Sequence, residues 1–127
     1  MDGKAISTAY WVVTILFCLA IGAGGVADLV LLKEAVEIVK ALGYPEYFIR
    51  MIGAWKVLGV IALLAPGFPR LKEWAYAGMA FDLIGASVSH CANGHPAKDV
   101  AVPLVLLGVG ALSYVLRPEE RRMSAPL

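Results

Sequence analysis

Residues 9–27, AYWVVTILFCLAIGAGGVA, form a continuous stretch without a single charged side chain. An α-helix needs about 20 mostly apolar residues to cross the hydrocarbon core of a bilayer. Three further stretches have a similar character: residues 51–69, interrupted by Lys56, residues 74–92, interrupted by Asp82, and residues 100–116. We therefore predict an all-α membrane protein with a single domain over residues 1–127, built as a bundle of four transmembrane helices.

The composition agrees with this prediction. Hydrophobic residues make up 60% of the chain and charged residues 17%, whereas soluble domains carry about 25% charged residues. A soluble helical bundle is the alternative, but its helices would need a wide polar face that these stretches lack. The first stretch is too long for the apolar region of a signal peptide. We therefore predict that it is retained as the first helix. The formal net charge of +1 gives no basis for nucleic-acid binding.

Glycine and proline residues mark the ends of the helices. Gly43 is typical of a helix stop and Pro45 of a helix start. Turns are expected at residues 66–69 and 93–96. The predicted helices span approximately residues 6–32, 46–64, 71–92 and 99–116. Residues 33–47 are more polar, with apolar side chains at helical spacing, and either continue the first helix or form an interfacial helix.

The distribution of basic residues predicts the orientation, because cytoplasmic loops carry an excess of lysine and arginine. The side that holds both termini has six basic residues: Lys4, Arg70, Lys72, Arg117, Arg121 and Arg122. The opposite side has four: Lys33, Lys40, Arg50 and Lys98. We therefore predict a multi-pass protein of the bacterial cytoplasmic (inner) membrane, with both termini in the cytoplasm.

Ionisable side chains within the predicted helices are the main functional candidates, because such residues usually face the bundle interior and pair with one another. Lys56 and Asp82 each lie about ten residues into a helix, near the bilayer midplane at 1.5 Å per residue. We predict that they form an ion pair or share a proton. Asp28, Arg50 and His90 lie near the outer helix ends, where we predict a second polar cluster.

These five residues suggest a cavity that opens to the outer leaflet and binds a lipophile with a polar head, such as a quinone. His90 and Lys56 would donate or accept protons there. The structural alternative is that the charged pairs only fix the register and order of the helices. His90, Cys91 and His95 offer too few rigidly held ligands for a metal, so no metal site is predicted. No catalytic motif is apparent.

Helical spacing also predicts which faces point inward, since small residues let membrane helices approach closely. The inward face of the first helix is predicted to carry Thr14, Cys18, Ile21, Gly25 and Asp28. That of the third helix is predicted to carry Gly78, Asp82, Gly85, Ala86 and Ser89. On the second helix, Gly53, Lys56 and Gly59 lie close to one face. The last helix offers only Ser113 and Tyr114 as polar candidates, which indicates a structural or lipid-facing helix.

The stretch from residue 43 to residue 90 resembles the DoxX-like family of small four-helix membrane proteins. The resemblance rests on these marks: Gly43-Tyr44-Pro45, Ile52-Gly53, Lys56-Val57-Leu58-Gly59, the 66–69 turn, the run KEWAYAG at residues 72–78, and Ser89-His90. It implies a compact four-helix bundle with both termini inside. Some relatives are linked to thiosulfate:quinone oxidoreductase and to quinone or oxidative stress, and a distant animal relative assists receptor assembly.

The leading functional hypothesis is a lipophile- or quinone-binding or accessory subunit of a membrane redox process. Its expected partners are membrane lipids, a membrane redox protein or a second copy of the chain. The second hypothesis is a non-enzymatic factor that assembles or stabilises membrane proteins. The third is a small transporter, because intramembrane charges are also typical of transport pathways.

Overall fold

The computed structural model describes residues 3–118 and Arg121. Within these residues the chain forms five α-helices and no strand: α1 (Gly3–Leu29), α2 (Lys33–Ala41), α3 (Glu46–Leu64), α4 (Pro69–Ala92) and α5 (Ala97–Val115). Helix α3 has the predicted boundaries, and the other long helices differ from prediction by up to three residues at an end. Arg122, which contributed to the predicted orientation, lies outside the described residues.

Helix α2 is separate from α1, so residues 33–41 do not continue the first helix. The chain leaves α1 through Leu31, whose φ of 54° is left-handed. The Leu32 amide donates to the carbonyl of Ala27 at 2.9 Å, and the Leu31 amide donates to that of Asp28 at 3.2 Å. These bonds form a Schellman motif, which satisfies the last carbonyls of a helix while turning the chain away from its axis.

Three of the helices, α1, α3 and α5, are long and apolar enough to cross a membrane. Helix α4 has the length but carries more charge, because Arg70, Lys72 and Glu73 lie in its first turns and Asp82 near its middle. Length and composition therefore support three of the four predicted spans.

The four long helices pack as a closed ring. Helices α1 and α4 each pack against both α3 and α5, while the short α2 contacts α1 and α3. A core of mostly apolar side chains fills the centre: Phe17, Cys18, Ile21, Leu63, Tyr76, Met79 and Leu83. Many large apolar side chains, including Leu19, Leu58 and Val105, point outward and are exposed. An outer surface of this kind suits lipid as the solvent.

Helices α1 and α3 approach each other at two glycines. A Cβ atom added to Gly53 would lie 2.7 Å from the carbonyl oxygen of Gly25 and 2.8 Å from the Cβ of Asp28. One added to Gly25 would lie 2.8 Å from the Cβ of Lys56. The backbones are therefore in contact, as small residues allow between membrane helices. The predicted inward face of the first helix is confirmed, since all five of its residues are buried.

A buried polar contact connects three helices. The hydroxyl of Ser113 on α5 is hydrogen-bonded to that of Thr14 on α1, and it lies 2.7 Å from the hydroxyl of Tyr76 on α4. Both Thr14 and Ser113 are fully buried. Of the two roles predicted for this helix, structural or lipid-facing, Ser113 supports the structural one, because it joins α5 to the interior.

Two basic residues close the C-terminal end of α3. The Nζ of Lys72, which is 1% exposed, donates to the carbonyls of Ala65 and Gly67. Nη1 of Arg121 donates to the carbonyl of Leu63 at 2.8 Å, and its guanidinium lies 4.4 Å from the Trp11 ring. Cations at this position satisfy free carbonyls and interact favourably with the helix dipole.

We predict that Gly53→Ala destabilises the protein by about 1–3 kcal/mol, the usual range for overpacking. The added methyl group would collide with the backbone of α1, which cannot move as a flexible side chain does. Gly108→Ala is the matched control, because a Cβ there meets no atom within 4 Å. The free energy of unfolding in detergent measures both. Equal stability of the two variants would contradict the α1–α3 contact described here.

Candidate functional site

A groove of about 650 Å³ lies between α3 and α4, with α1 behind it. Helix α2 contributes Ile38, Val39 and Leu42 to its outer end, and Pro103 and Leu106 of α5 complete the wall. The lining is mostly apolar. The groove is thus bounded by all five helices and is open along the α3–α4 side, where Trp55 and Phe81 are 58% and 74% exposed.

The structure places four of the five predicted site residues along this groove: Asp28, Lys56, Asp82 and His90. Arg50 is not among the lining residues, and it is exposed. The predicted grouping of Arg50 with Asp28 and His90 was therefore wrong. Asp28 is buried between α1 and α3, while Arg50 points away from the bundle interior.

Lys56 forms its ion pair with Asp28, whose Oδ2 lies 3.1 Å from the Lys56 Nζ. The direct Lys56–Asp82 pair predicted from depth was wrong. The Cβ of Lys56 lies opposite Gly25, and its Nζ is 3.8 Å from where a Cβ of Gly24 would stand. The lysine side chain therefore runs along the glycine surface of α1 toward the outer end, and meets Asp28 one turn beyond Gly25.

The depth estimate failed because α1 and α3 do not end at the same level. Gly25 lies four residues before the end of α1, whereas its contact Gly53 lies seven residues after the start of α3. Helix α1 thus ends roughly one turn deeper than α3 begins. The α2 segment fills the space above it. Asp28 is consequently an interior residue, within reach of Lys56.

Asp82 lies on the α4 wall of the groove, opposite Lys56 on α3, and is half-buried. Among the described residues it makes no direct ion pair. It is close enough to interact electrostatically with Lys56, which attracts it, and with Asp28, which repels it. The arrangement is one cation between two carboxylates, of which one is bonded to the lysine and the other faces the groove.

The small-residue face of α4 lines the groove instead of packing against a neighbouring helix. All five of its predicted inward residues are among the lining residues, and a Cβ added to Gly78 or Gly85 would meet no atom within 4 Å. The face of α4 that packs inward carries Lys72, Tyr76, Met79, Leu83 and Ser87. The prediction of close packing was wrong because large side chains fill the core, while the small ones leave space.

Aromatic and hydroxyl groups at the outer end complete the site, and no charge pattern pointed to them. The Tyr44 hydroxyl lies 2.8 Å from the Oγ of Ser89, and the Tyr44 ring stacks on Phe48 with a centroid distance of 4.4 Å. Helical spacing predicts an inward position for Ser89, while the available signal for Tyr44 is the family resemblance. His90 contacts His95 here, not Asp28, with their Nδ1 atoms 2.8 Å apart.

A second cavity of about 290 Å³ continues along the same pair of helices. It shares Lys56 and Asp82 with the larger one and extends past Gly59 to Trp74. The two cavities therefore form one long groove between α3 and α4, and the charged residues lie where they join. An elongated apolar molecule with one polar group fits such a shape.

We predict that Lys56→Met lowers the free energy of unfolding by about 3 kcal/mol, because Asp28 then loses its ion-pair partner and Asp82 loses a nearby cation. Asp28→Asn should have a smaller effect, since Lys56 still has Asp82 close by. The double variant Lys56→Met/Asp28→Asn should recover part of the stability lost in Lys56→Met, because the buried carboxylate without a partner is then removed. Unfolding in detergent measures this series, with the exposed Lys98→Met as control. An effect of Asp28→Asn as large as that of Lys56→Met would contradict the shared-cation arrangement.

Comparison with known proteins gives one result. Neither the curated proteins nor the solved structures yield a match to this chain. A family model described as the DoxX-like family matches residues 12–113, which include α3, α4 and all the groove residues of α1 and α5. The match covers most of the chain and confirms the resemblance found in the sequence. The chain belongs to the DoxX-like family.

Proposed function

We propose that the protein spans the bacterial inner membrane four times, with both termini in the cytoplasm. Helix α4 packs between α3 and α5 along its length, and its 24 residues extend about 36 Å at 1.5 Å per residue. Its charged first turns lie at the end of the bundle that holds the termini, where Arg70 is exposed, Lys72 is bonded to backbone carbonyls and Glu73 is paired with Arg117. The excess of basic residues at that end favours a cytoplasmic location.

We further propose that the α3–α4 groove binds a lipophile with a polar head. One observation carries this proposal: the apolar groove of about 650 Å³ reaches Lys56, Asp28 and Asp82 in its interior. Small-molecule sites typically have volumes of about 300–1,000 Å³, with apolar walls and a few polar groups that fix the orientation. The exposed rim beside Trp55 and Phe81 offers entry from the lipid phase.

A quinone is the ligand class that suits these groups best. Its carbonyl oxygens accept hydrogen bonds, which the Lys56 ammonium can donate, and the hydroxyls of the reduced form can donate to Asp82. The aromatic rims can stack on a planar ring. The two cysteines are far from a dithiol arrangement, with Cys18 buried in the core and Cys91 exposed. We therefore propose a binding or accessory role beside a membrane redox protein.

The same geometry argues against the other two hypotheses. A transporter needs a path from the groove to the terminal end of the bundle. Below Asp82 the groove continues to Trp74 along apolar walls, and the described interior behind it is occupied by the apolar core and by the Thr14–Ser113–Tyr76 contact, so no polar path follows. An assembly factor could act through its outer surface alone, so this hypothesis assigns no binding role to the charged groove.

We predict that a bulky side chain at Gly85 displaces the lipophile without harming the fold. Gly85→Leu fills the groove from a position with open space before it, whereas Gly108→Leu adds the same side chain on α5 outside the groove. Native mass spectrometry with lipidomics on gently solubilised protein identifies the bound molecule. Its occupancy should fall at least tenfold in Gly85→Leu and stay unchanged in Gly108→Leu. Equal occupancy in both variants would overturn the groove as the site.

The native cysteines test the proposed orientation. Cys91 is exposed at the end of the bundle opposite the termini, and Cys18 is buried in the core. A membrane-impermeant maleimide added to intact spheroplasts should therefore label the wild type once and Cys91→Ser not at all. Labelling of Cys91 only after the membrane is permeabilised would place the termini outside.

A further inference from the structure

The C-terminal end of α4 is closed by a Schellman motif that brings two histidines together. Gly94 has a φ of 69°, its amide donates to the carbonyl of Cys91 at 3.1 Å, and the His95 amide donates to the carbonyl of His90 at 3.0 Å. This hydrogen-bond pattern normally places an apolar pair in contact across the cap. Here the two positions of that pair are His90 and His95.

Helix α2 provides an internal comparison. Its end has the same motif, with Gly43 at a φ of 91° and the Tyr44 amide donating to the carbonyl of Val39 at 3.4 Å. The equivalent pair there is Val39 and Tyr44, an aliphatic and an aromatic side chain, as expected for the apolar contact of this motif. The α4 cap therefore carries two nitrogen ligands at positions that capping alone would fill with apolar side chains.

The backbone holds these histidines in place. His95 is bonded to His90 through the main chain, the side-chain amide of Asn93 donates to the Ser89 carbonyl at 2.8 Å, and the Asp99 amide donates to the Pro96 carbonyl at 3.0 Å. The loop of residues 93–96 is thus a turn fixed by hydrogen bonds. The sequence-based argument against a metal assumed that this segment had little rigidity.

A carboxylate converges on the histidine pair. The ligand atoms of His90, His95 and Asp99 all lie within 4.8 Å of one another, and the three residues are half-buried. They line one cavity together with Glu34 and Glu37 of α2, which add negative charge around it. Cys91, considered with the histidines at the sequence level, does not belong to this group.

We propose that His90, His95 and Asp99 bind a divalent transition-metal ion such as Zn²⁺ at the outer end of the bundle. Imidazole nitrogens and carboxylate oxygens bind zinc at about 2.0–2.2 Å, so neighbouring ligands in a tetrahedral site are about 3.3 Å apart. The ligand atoms of this cluster lie within 4.8 Å of one another and would close to that spacing around a bound ion. Three protein ligands leave a fourth position for water or for an exchangeable ligand.

This site is distinct from the charged residues Asp28, Lys56 and Asp82 of the groove. His90 lines both cavities, so the metal would lie beside the outer end of the groove. The proposal does not depend on what the groove binds. The competing explanation is a simple hydrogen bond between the two imidazoles through their Nδ1 atoms.

Zinc binding to the purified full-length protein tests the proposal. The protein is prepared without a polyhistidine tag, stripped with chelator and titrated with Zn²⁺ in detergent by calorimetry, with metal content measured by mass spectrometry. We expect one ion per chain, with affinity that falls as the pH is lowered because protons compete for the ligands. His95→Gln and Asp99→Asn should each weaken binding at least about tenfold.

Matched controls separate ligand loss from other effects. Cys91→Ser tests the nearby thiol, and Glu46→Gln tests a carboxylate in the first turn of another helix; both should bind zinc as the wild type does. Circular dichroism and gel filtration verify that each variant is folded. A wild type that binds no stoichiometric zinc, or folded ligand variants that bind as tightly as the wild type, would overturn the site in favour of the imidazole hydrogen bond.

Discussion

The direct backbone contact of α1 and α3 at Gly25 and Gly53 is the constraint from which the rest of the interior follows. In a bilayer, lipid tails solvate apolar side chains as well as protein does, so helices associate through close packing and hydrogen bonds. Two glycines allow the backbones to meet, and Asp28 and Lys56 lie within one turn of that contact. The ion pair at 3.1 Å is therefore a consequence of the glycine contact.

The other side of α3 has the opposite character. Its partner α4 turns large residues such as Tyr76, Met79 and Leu83 toward the core and leaves Gly78 and Gly85 facing open space. A tight interface and a loose one thus lie on two sides of the same helix. The loose interface is the groove, and Lys56 connects the two by bonding to α1 while it also lines the cavity.

The two proposed sites use different physical means. In the groove, a charged group that is expensive to bury is stabilised by a partner and stays available to a polar head within apolar walls. At the α4 cap, a common turn geometry brings two imidazoles together, and Asp99 of α5 approaches them. Membership of the DoxX-like family establishes the relationship of the chain, while both sites depend on side-chain geometry that a family match alone does not supply.

The helices could be predicted from the sequence, because hydropathy, glycine and proline act locally: α3 has its predicted limits, and the inward stripe of α1 follows from helical spacing. Charges in apolar helices usually face the interior, which correctly selected Asp28, Lys56, Asp82 and His90 as groove residues and wrongly selected the exposed Arg50. Which charges pair could not be predicted in this way, because pairing depends on the relative heights of the packed helices. That height is set by the Gly25–Gly53 contact and by the deep end of α1. The open face of α4 and the approach of Asp99 to the histidines also required the packed structure, since both depend on contacts between different helices.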